Sequence, residues 1–344
     1  MTTTNALQFP ISEAPAMGQP LKVAEGVYWL RMPLPFALNH INLWLLEDHL
    51  GWTIVDTGIN TSACKELWQQ VFDHHLNNKP VHQLIVTHLH PDHVGLAGWI
   101  CERWGLQLQM SRTDYITCKV LMSDTGQPAP KAAVDFYQRA GATDEQLAYY
   151  KTKFGGYGKS IYPMPDSYVR LQEGSSVTMA GHRWEIIVGR GHAPEHVCLL
   201  CPELNVFISG DQLLPTISSN VSVWPVEPNA DPLKDWLDSC AMLQHRIPAD
   251  VLVLPSHGQV FFGAHNRLQR LIEGHEKSLM KLLETCQQPQ RNVDLFSQLF
   301  RRPINNDLLT LAVGETQAHL NYLISKNKLQ RIPDHQDVVW YQTL

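Results

Sequence analysis

Within the run Thr87-His88-Leu89-His90-Pro91-Asp92-His93, three imidazoles and a carboxylate fall inside seven residues. The residues just before it, Gln83-Leu84-Ile85-Val86, read as a short buried strand. A strand that ends in a ligand-dense loop sets its donors on a rigid edge. Neutral imidazole nitrogens together with a carboxylate suit zinc or iron(II) better than magnesium or calcium. The plainer reading is a polar loop in a histidine-rich chain, which has 17 histidines in 344 residues. That reading is disfavoured because the rest of the chain supplies the partners a metal site needs.

A chain of this length can bury a full core and form more than one domain. Apolar content of 44% against 17% charged residues marks an ordinary globular protein. A formal net charge of -6 argues against a general nucleic-acid binder. From residue 261 onward ten Lys and Arg stand against eight Asp and Glu, so no part offers a polyanion-binding surface. The seven cysteines are scattered, the N-terminal stretch lacks the features of a secretory signal, and no apolar run is long enough to span a membrane. Reduced thiols in a cytoplasmic protein are the expectation. Cys198 and Cys201 lie in the strand-like VCLLC, where positions i and i+3 point to opposite sides, so they read as two small buried residues.

The pattern predicts a loose arm over residues 1–21, a first domain over 22–262 and a C-terminal domain over 263–344. Strands are predicted at VYWLRMPL, NLWLLED, GWTIVDTG, QLIVTH and LQLQMS, with helices at 61–76 and about 94–104. Residues 112–165 read as an insertion covering the site, with helical pieces at KAAVDFYQRAG and DEQLAYYKTKF before a Gly/Pro-rich tract. Strands resume at HRWEIIVGRGH, and VCLLC and NVFISGD are predicted to form a hairpin. The helix DWLDSCAMLQH and the strand VLVLPSHG follow. Beyond them come helices with three- and four-residue apolar spacing and a terminal two-stranded wing at LQRIPDHQDVVWYQ.

Three further fragments each follow an apolar strand: Gly191-His192-Ala193-Pro194-Glu195-His196, Ser209-Gly210-Asp211 and Pro255-Ser256-His257-Gly258. The series THLHPDH…GHAPEH…SGD…PSHG resembles the metallo-β-lactamase superfamily over roughly residues 22–262. The resemblance implies an α/β fold, an αββα sandwich with two divalent metals at one edge. It implies that His88, His90 and His192 bind the first metal, that Asp92, His93 and His257 bind the second, and that Asp211 bridges them. Asp56 would orient a ligand histidine by accepting its second ring N–H. His196 reads as a loop-fixing residue rather than a ligand. The metals would activate a bridging water as hydroxide against a carbonyl or phosphoryl centre, and Asp92 would orient it or relay its proton.

Departures from the family's branches narrow the field. Aspartate at 211 and histidine at 93 disfavour the common zinc β-lactamases. His90 disfavours the diiron redox branch, and Leu214 stands where lactonases place a tyrosine. The remaining resemblance is to glyoxalase II-like hydrolases and to a related group with a C-terminal winged helix, which ETQAHLNYLISKNKLQR resembles. The expected function is hydrolysis of a small ester or thioester. RNA or phosphodiester hydrolysis, lactone hydrolysis and mononuclear-iron persulfide oxygenation are the alternatives. The partner is a small-molecule substrate, without membrane or nucleic acid, and a homodimer is open. Zinc is the first expectation for the metal, and iron or manganese fit the same donors. His40 is a substrate-contact candidate, with a hydrogen-bonded loop histidine as its simpler reading. His74 and His75 end a helix, where the dipole favours such residues, surface positions account for His265, His275 and His319, and Trp224 reads as a packing residue.

Overall fold

The chain's apolar strands fall into two runs, each buried on both faces, and each run needs a second layer on either side. A computed structural model describes residues 6–36, 38–334 and 337–344. The first run forms one sheet in chain order: β1 (Leu21–Ala24), β2 (Val27–Pro33), β3 (His40–Glu47), β4 (Trp52–Val55), β5 (Val81–Ile85), β6 (Leu108–Met110) and β7 (Tyr168–Arg170). Pairing is antiparallel from β1 to β4 and parallel from β4 to β7. The change follows the connections, because parallel neighbours need a crossover. Those crossovers hold α1 (Ser62–His74), α2 (Pro91–Val94), α3 (Ala97–Trp104), α4 (Arg112–Ser123), α5 (Lys131–Arg139) and α6 (Asp144–Lys153).

The second sheet comprises β8 (Ser176–Met179), β9 (His182–Gly189), β10 (His196–Cys201), β11 (Val206–Gly210) and β12 (Leu252–Pro255), in the order β12-β11-β10-β9-β8. β10 and β11 form the antiparallel hairpin expected from the turn at 202–205. α7 (Pro232–Arg246) carries the chain over to β12, which pairs parallel with β11. Trp29, Trp44, Val55 and Ile85 of the first sheet meet Ile186, Val197, Leu199 and Ile208 of the second in the central core. α1, α3 and α4 cover the outer face of the first sheet, and α7 covers that of the second. This is the αββα sandwich. Cys198 packs in the outer layer and Cys201 in the central one, on opposite faces as the alternation requires.

The C-terminal part contains α8 (Ala264–Thr285), β13 (Gln290–Arg291), α9 (Phe296–Leu299), α10 (Leu309–Ser325), β14 (Leu329–Pro333) and β15 (Val339–Thr343). Its sheet has three strands rather than two, since β13 pairs with β15 through Gln290 and Tyr341. α5 and α6 pack against this part, with Tyr137, Ala140 and Leu147 meeting Leu309 and Val313.

Other departures have local causes. The arm is tied down rather than loose: Gln8 and Phe262 exchange backbone hydrogen bonds, and Gly18 N–H donates to Arg31 O. Its first five residues lie outside the described ones, as do His335 and Gln336 of the wing. The helix expected at 94–104 divides at Gly95-Leu96, and α4 occupies a stretch that had no helical prediction. His275 and His319 are buried, not superficial, and their rings face each other with Nδ1 and Nε2 3.2 Å apart. Trp224 is 40% exposed, so it does not pack as expected. Among the described residues no helix is long and apolar enough to cross a membrane.

Candidate metal centre

The donors leave the sheets at one edge, after β5, β9, β11 and β12, so loops distant in sequence converge there. One atom each from His88, His90, His192 and Asp211 lies within 4.8 Å of the others, and so do atoms of Asp92, His93 and His257. Asp211 stands between the groups. Its Oδ2 is 3.2 Å from His192 Nε2, 3.6 Å from His93 Nε2 and 4.0 Å from His88 Nε2, while Oδ1 is 3.4 Å from His257 Nε2. Asp92 Oδ2 is 3.4 Å from His257 Nε2.

Hydrogen bonds on the far side of each ring decide which nitrogen faces the centre. His93 Nδ1–H donates to Asp56 Oδ2 at 2.8 Å, His192 Nδ1–H to the Asn220 carbonyl at 2.7 Å, and His257 Nδ1–H to the His40 carbonyl at 2.9 Å. Thr87 Oγ1 donates to Asp56 Oδ2 and so accepts from His88 Nδ1, 3.0 Å away. These partners assign the Nδ1–H tautomer to four rings and turn each Nε2 lone pair inward. Nε2 of His93, Nε2 of His192 and Oδ1 of Asp211 are buried with no hydrogen-bond partner in the protein. Buried polar atoms left unpaired are costly. A group of convergent, unpaired nitrogen and oxygen donors fits divalent metal ions.

The charge distribution agrees. Burial depresses His88, and it takes His90 down to about 3, which keeps both rings neutral and free to donate a lone pair. Burial would also lower His93, but the carboxylates of Asp56, Asp92 and Asp211 hold it well above its ordinary value. Burial pushes Asp211 up, yet His257 and His93 overcome it and hold the carboxylate well below its usual range. The second group is therefore a strong seat for positive charge.

Asp56 has a left-handed backbone, with φ 64°, and its oxygens accept from Thr87 N, Thr87 Oγ1 and His93 Nδ1. His196 Nε2 accepts the Asp211 backbone N–H at 3.0 Å while its ring stacks on His88, so it fixes the loop. A side chain at Gly210, φ 53°, would put Cβ 2.4 Å from His196 Cε1, which accounts for the glycine in Ser-Gly-Asp. Both His40 ring nitrogens have partners inside the chain, namely Asn39 Oδ1 on one side and Arg31 Nη2 and Gly258 N–H on the other. Its contacts are those of a loop-fixing histidine. Of the Gly-rich tract, Tyr157 OH donates to Leu89 O and Lys159 is exposed.

Three residues escaped the sequence reading. Asn42 Nδ2 donates to the Pro255 and Gly258 carbonyls, pinning the loop that carries His257. The Asn220 carbonyl acts on His192. Asp114, in α4, accepts Leu89 N–H at 3.0 Å and Glu195 N–H at 2.7 Å, joining the loops of His88/His90 and His192. Burial raises its carboxyl to about 6, and these backbone N–H groups work against that rise. Asp114→Asn turns an amide N–H toward one of those donors. We expect a loss of about 1–3 kcal/mol, read as a lower Tm, and faster metal loss on dialysis against a chelator.

The pattern of the metallo-beta-lactamase superfamily matches residues 38–257. The chain belongs to this superfamily. A metallo-beta-lactamase-like C-terminal domain matches residues 279–344. A crystal structure of a beta-lactamase domain protein from Burkholderia ambifaria superposes with a TM-score of 0.91 at 39% identity, covering 98% of each chain. A Bacillus subtilis protein described as a probable metallo-hydrolase is 23% identical over 87% of this chain and 92% of its own length. A hydroxyacylglutathione hydrolase from Roseobacter denitrificans is 24% identical over 51% of this chain and 66% of its own. Membership and the His/Asp cluster together support a metal-dependent hydrolase.

Proposed function

We propose that the protein is a dinuclear-metal-dependent hydrolase of a small ester or thioester. The inward orientation of four Nε2 lone pairs around Asp211 carries this reading. His88, His90, His192 and Asp211 would hold one cation. Asp92, His93 and His257, sharing Asp211, would hold the other. When bound, the cations supply an activated water as nucleophile and positive charge against the oxyanion. Asp92 has a side chain 20% exposed, against 10% for Asp211, so it is the carboxylate nearest to arriving substrate. Its Oδ2 faces His93 and His257 in that second group, which leaves Oδ1 to orient the attacking water and receive its proton. Asp56, His40 and Asn220 keep three ligand rings in the required tautomer. The Roseobacter relative, named as a hydroxyacylglutathione hydrolase, supports the substrate class.

The test is elemental analysis of the purified protein, followed by thioester, ester, lactone, β-lactam and RNA substrates. The expected result is two zinc, iron or manganese ions per chain and turnover of the thioester or ester. One iron per chain with oxygen uptake, or full turnover after complete metal removal, would overturn the proposal. Preferential cleavage of RNA would replace the substrate class.

A further inference from the structure

The segment 218–223, between β11 and α7, lies against both the metal centre and α10. Toward the centre, Ser219 Oγ donates to the Asp211 carbonyl at 2.5 Å and the Asn220 carbonyl accepts His192 Nδ1–H. Toward α10, Asn220 Nδ2 donates to Glu315 Oε2 at 2.8 Å, and Val223 N–H donates to Gly314 O at 3.0 Å. Ser222 Oγ donates to Asn220 Oδ1 at 2.6 Å, so the amide is held from both ends. The approach depends on Gly314, where a Cβ would sit 2.8 Å from Ser222 Oγ and 2.9 Å from Val223 O. Glu315 is itself anchored, since its carbonyl accepts His319 Nδ1–H and His319 Nε2 meets His275 of α8. A partly buried carboxylate gives up hydration on one side, and here that side is turned to one asparagine.

We propose that Glu315, acting through Asn220, is a positioning residue for His192, and that α10 thereby makes the C-terminal part a structural wall of the metal centre. The inference rests on His192 being a metal ligand. The carbonyl that orients the ring is a peptide oxygen whose position depends on where the Asn220 side chain is tethered. Releasing the tether lets the peptide rotate and the His192 ring swing. Partners of this kind typically change metal affinity 10–100-fold, and Glu315 is one bond network further out, so the lower end applies.

The test measures cobalt(II) affinity by chelator competition, and the cobalt ligand-field spectrum, on the full chain. Glu315→Ala is expected to weaken binding about 10-fold and to alter the spectrum. Glu315→Gln keeps an acceptor for Asn220 Nδ2 and should stay close to the parent. Asn220→Ala keeps the carbonyl but loses the tether, so it should match Glu315→Ala, and the double variant should be no weaker than either single one. Should Glu315→Ala fail to fold, Asn220→Ala alone carries the test. Unchanged cobalt affinity in that variant, additive losses, or a Glu315→Gln protein as weak as Glu315→Ala would each overturn the inference. His192→Ala run in parallel separates the two readings. If it keeps full affinity, the metal-centre reading falls. If it loses affinity while the Glu315 and Asn220 variants do not, only the role of α10 falls.

Discussion

Asp211→Ala should leave the chain folded, with at most one metal ion bound and turnover reduced by at least about 10³-fold. Among the described residues no other carboxylate reaches both donor groups: Oδ2 faces His192, His93 and His88, and Oδ1 faces His257. The backbone at 211 is secured separately, through its N–H to His196 and its carbonyl from Ser219, so the loop survives loss of the side chain. Asp211→Asn keeps the volume but removes the charge that stabilises two adjacent imidazoles or cations. It should therefore resemble alanine more than the parent. Metal analysis and the rate with the best substrate of the panel check this together. A variant with full metal content and full turnover would remove Asp211 from the centre.

The donors were legible in the sequence because each sits directly after an apolar strand, where hydrophobic periodicity fixes direction and chemistry supplies the type. His88, His192, Asp211 and His257 are all of this kind. The groups that orient the donors were legible only in part. Asp56 could be found because its side chain does the work. The carbonyls of His40 and Asn220 could not, since every residue carries a carbonyl and only the folded backbone selects one. Asp114 was hidden in a segment with no helical prediction, 17 residues before Lys131, where the insertion's first predicted helix begins. His275 and His319 were misassigned because a helical pattern shows which residues share a face, but not whether a second helix covers it. Here α8 and α10 both pack on α7 and meet at these two residues, so two polar rings lie inside.

The same distinction explains how the C-terminal part bears on the site. Its elements contribute no donor to either group, yet α10 contacts the segment that carries the His192 acceptor. α5 and α6, from the predicted insertion, pack on the N-terminal half of α10. The 154–165 tract meets the ligand loop through Tyr157 and Leu89, and the α2–α3 junction through Tyr162 N–H and Gly95 O. The insertion is thus fastened at one end to the ligand loop and at the other to the C-terminal helix. A displacement of α10 would therefore reach the centre by two routes.

Asp56→Asn separates charge and tautomer from backbone strain. Asparagine tolerates the left-handed conformation that Asp56 adopts, so the turn after β4 should persist. What changes is the set of partners. The carboxylate accepts three hydrogen bonds, from Thr87 N–H, Thr87 Oγ1 and His93 Nδ1. An amide has one acceptor oxygen, and the Thr87 backbone N–H, which cannot reorient, claims it. The amide nitrogen then points at His93 Nδ1 and donates to it, which moves the ring proton to Nε2. A protonated Nε2 has no lone pair for a cation, so the group formed with Asp92 and His257 loses one of its donors. We expect metal affinity at that group to fall about 10–100-fold, with the group around His88, His90 and His192 retained. Stability should fall by about 1–3 kcal/mol from the rearranged buried bonds. Asp56→Ala, which leaves all three donors unpaired and puts alanine at positive φ, should lose clearly more. Cobalt titration resolves the two groups by stoichiometry, and thermal unfolding of the metal-free proteins ranks the variants. An Asp56→Asn protein that takes up two ions with parental affinity would show that the tautomer of His93 does not control binding.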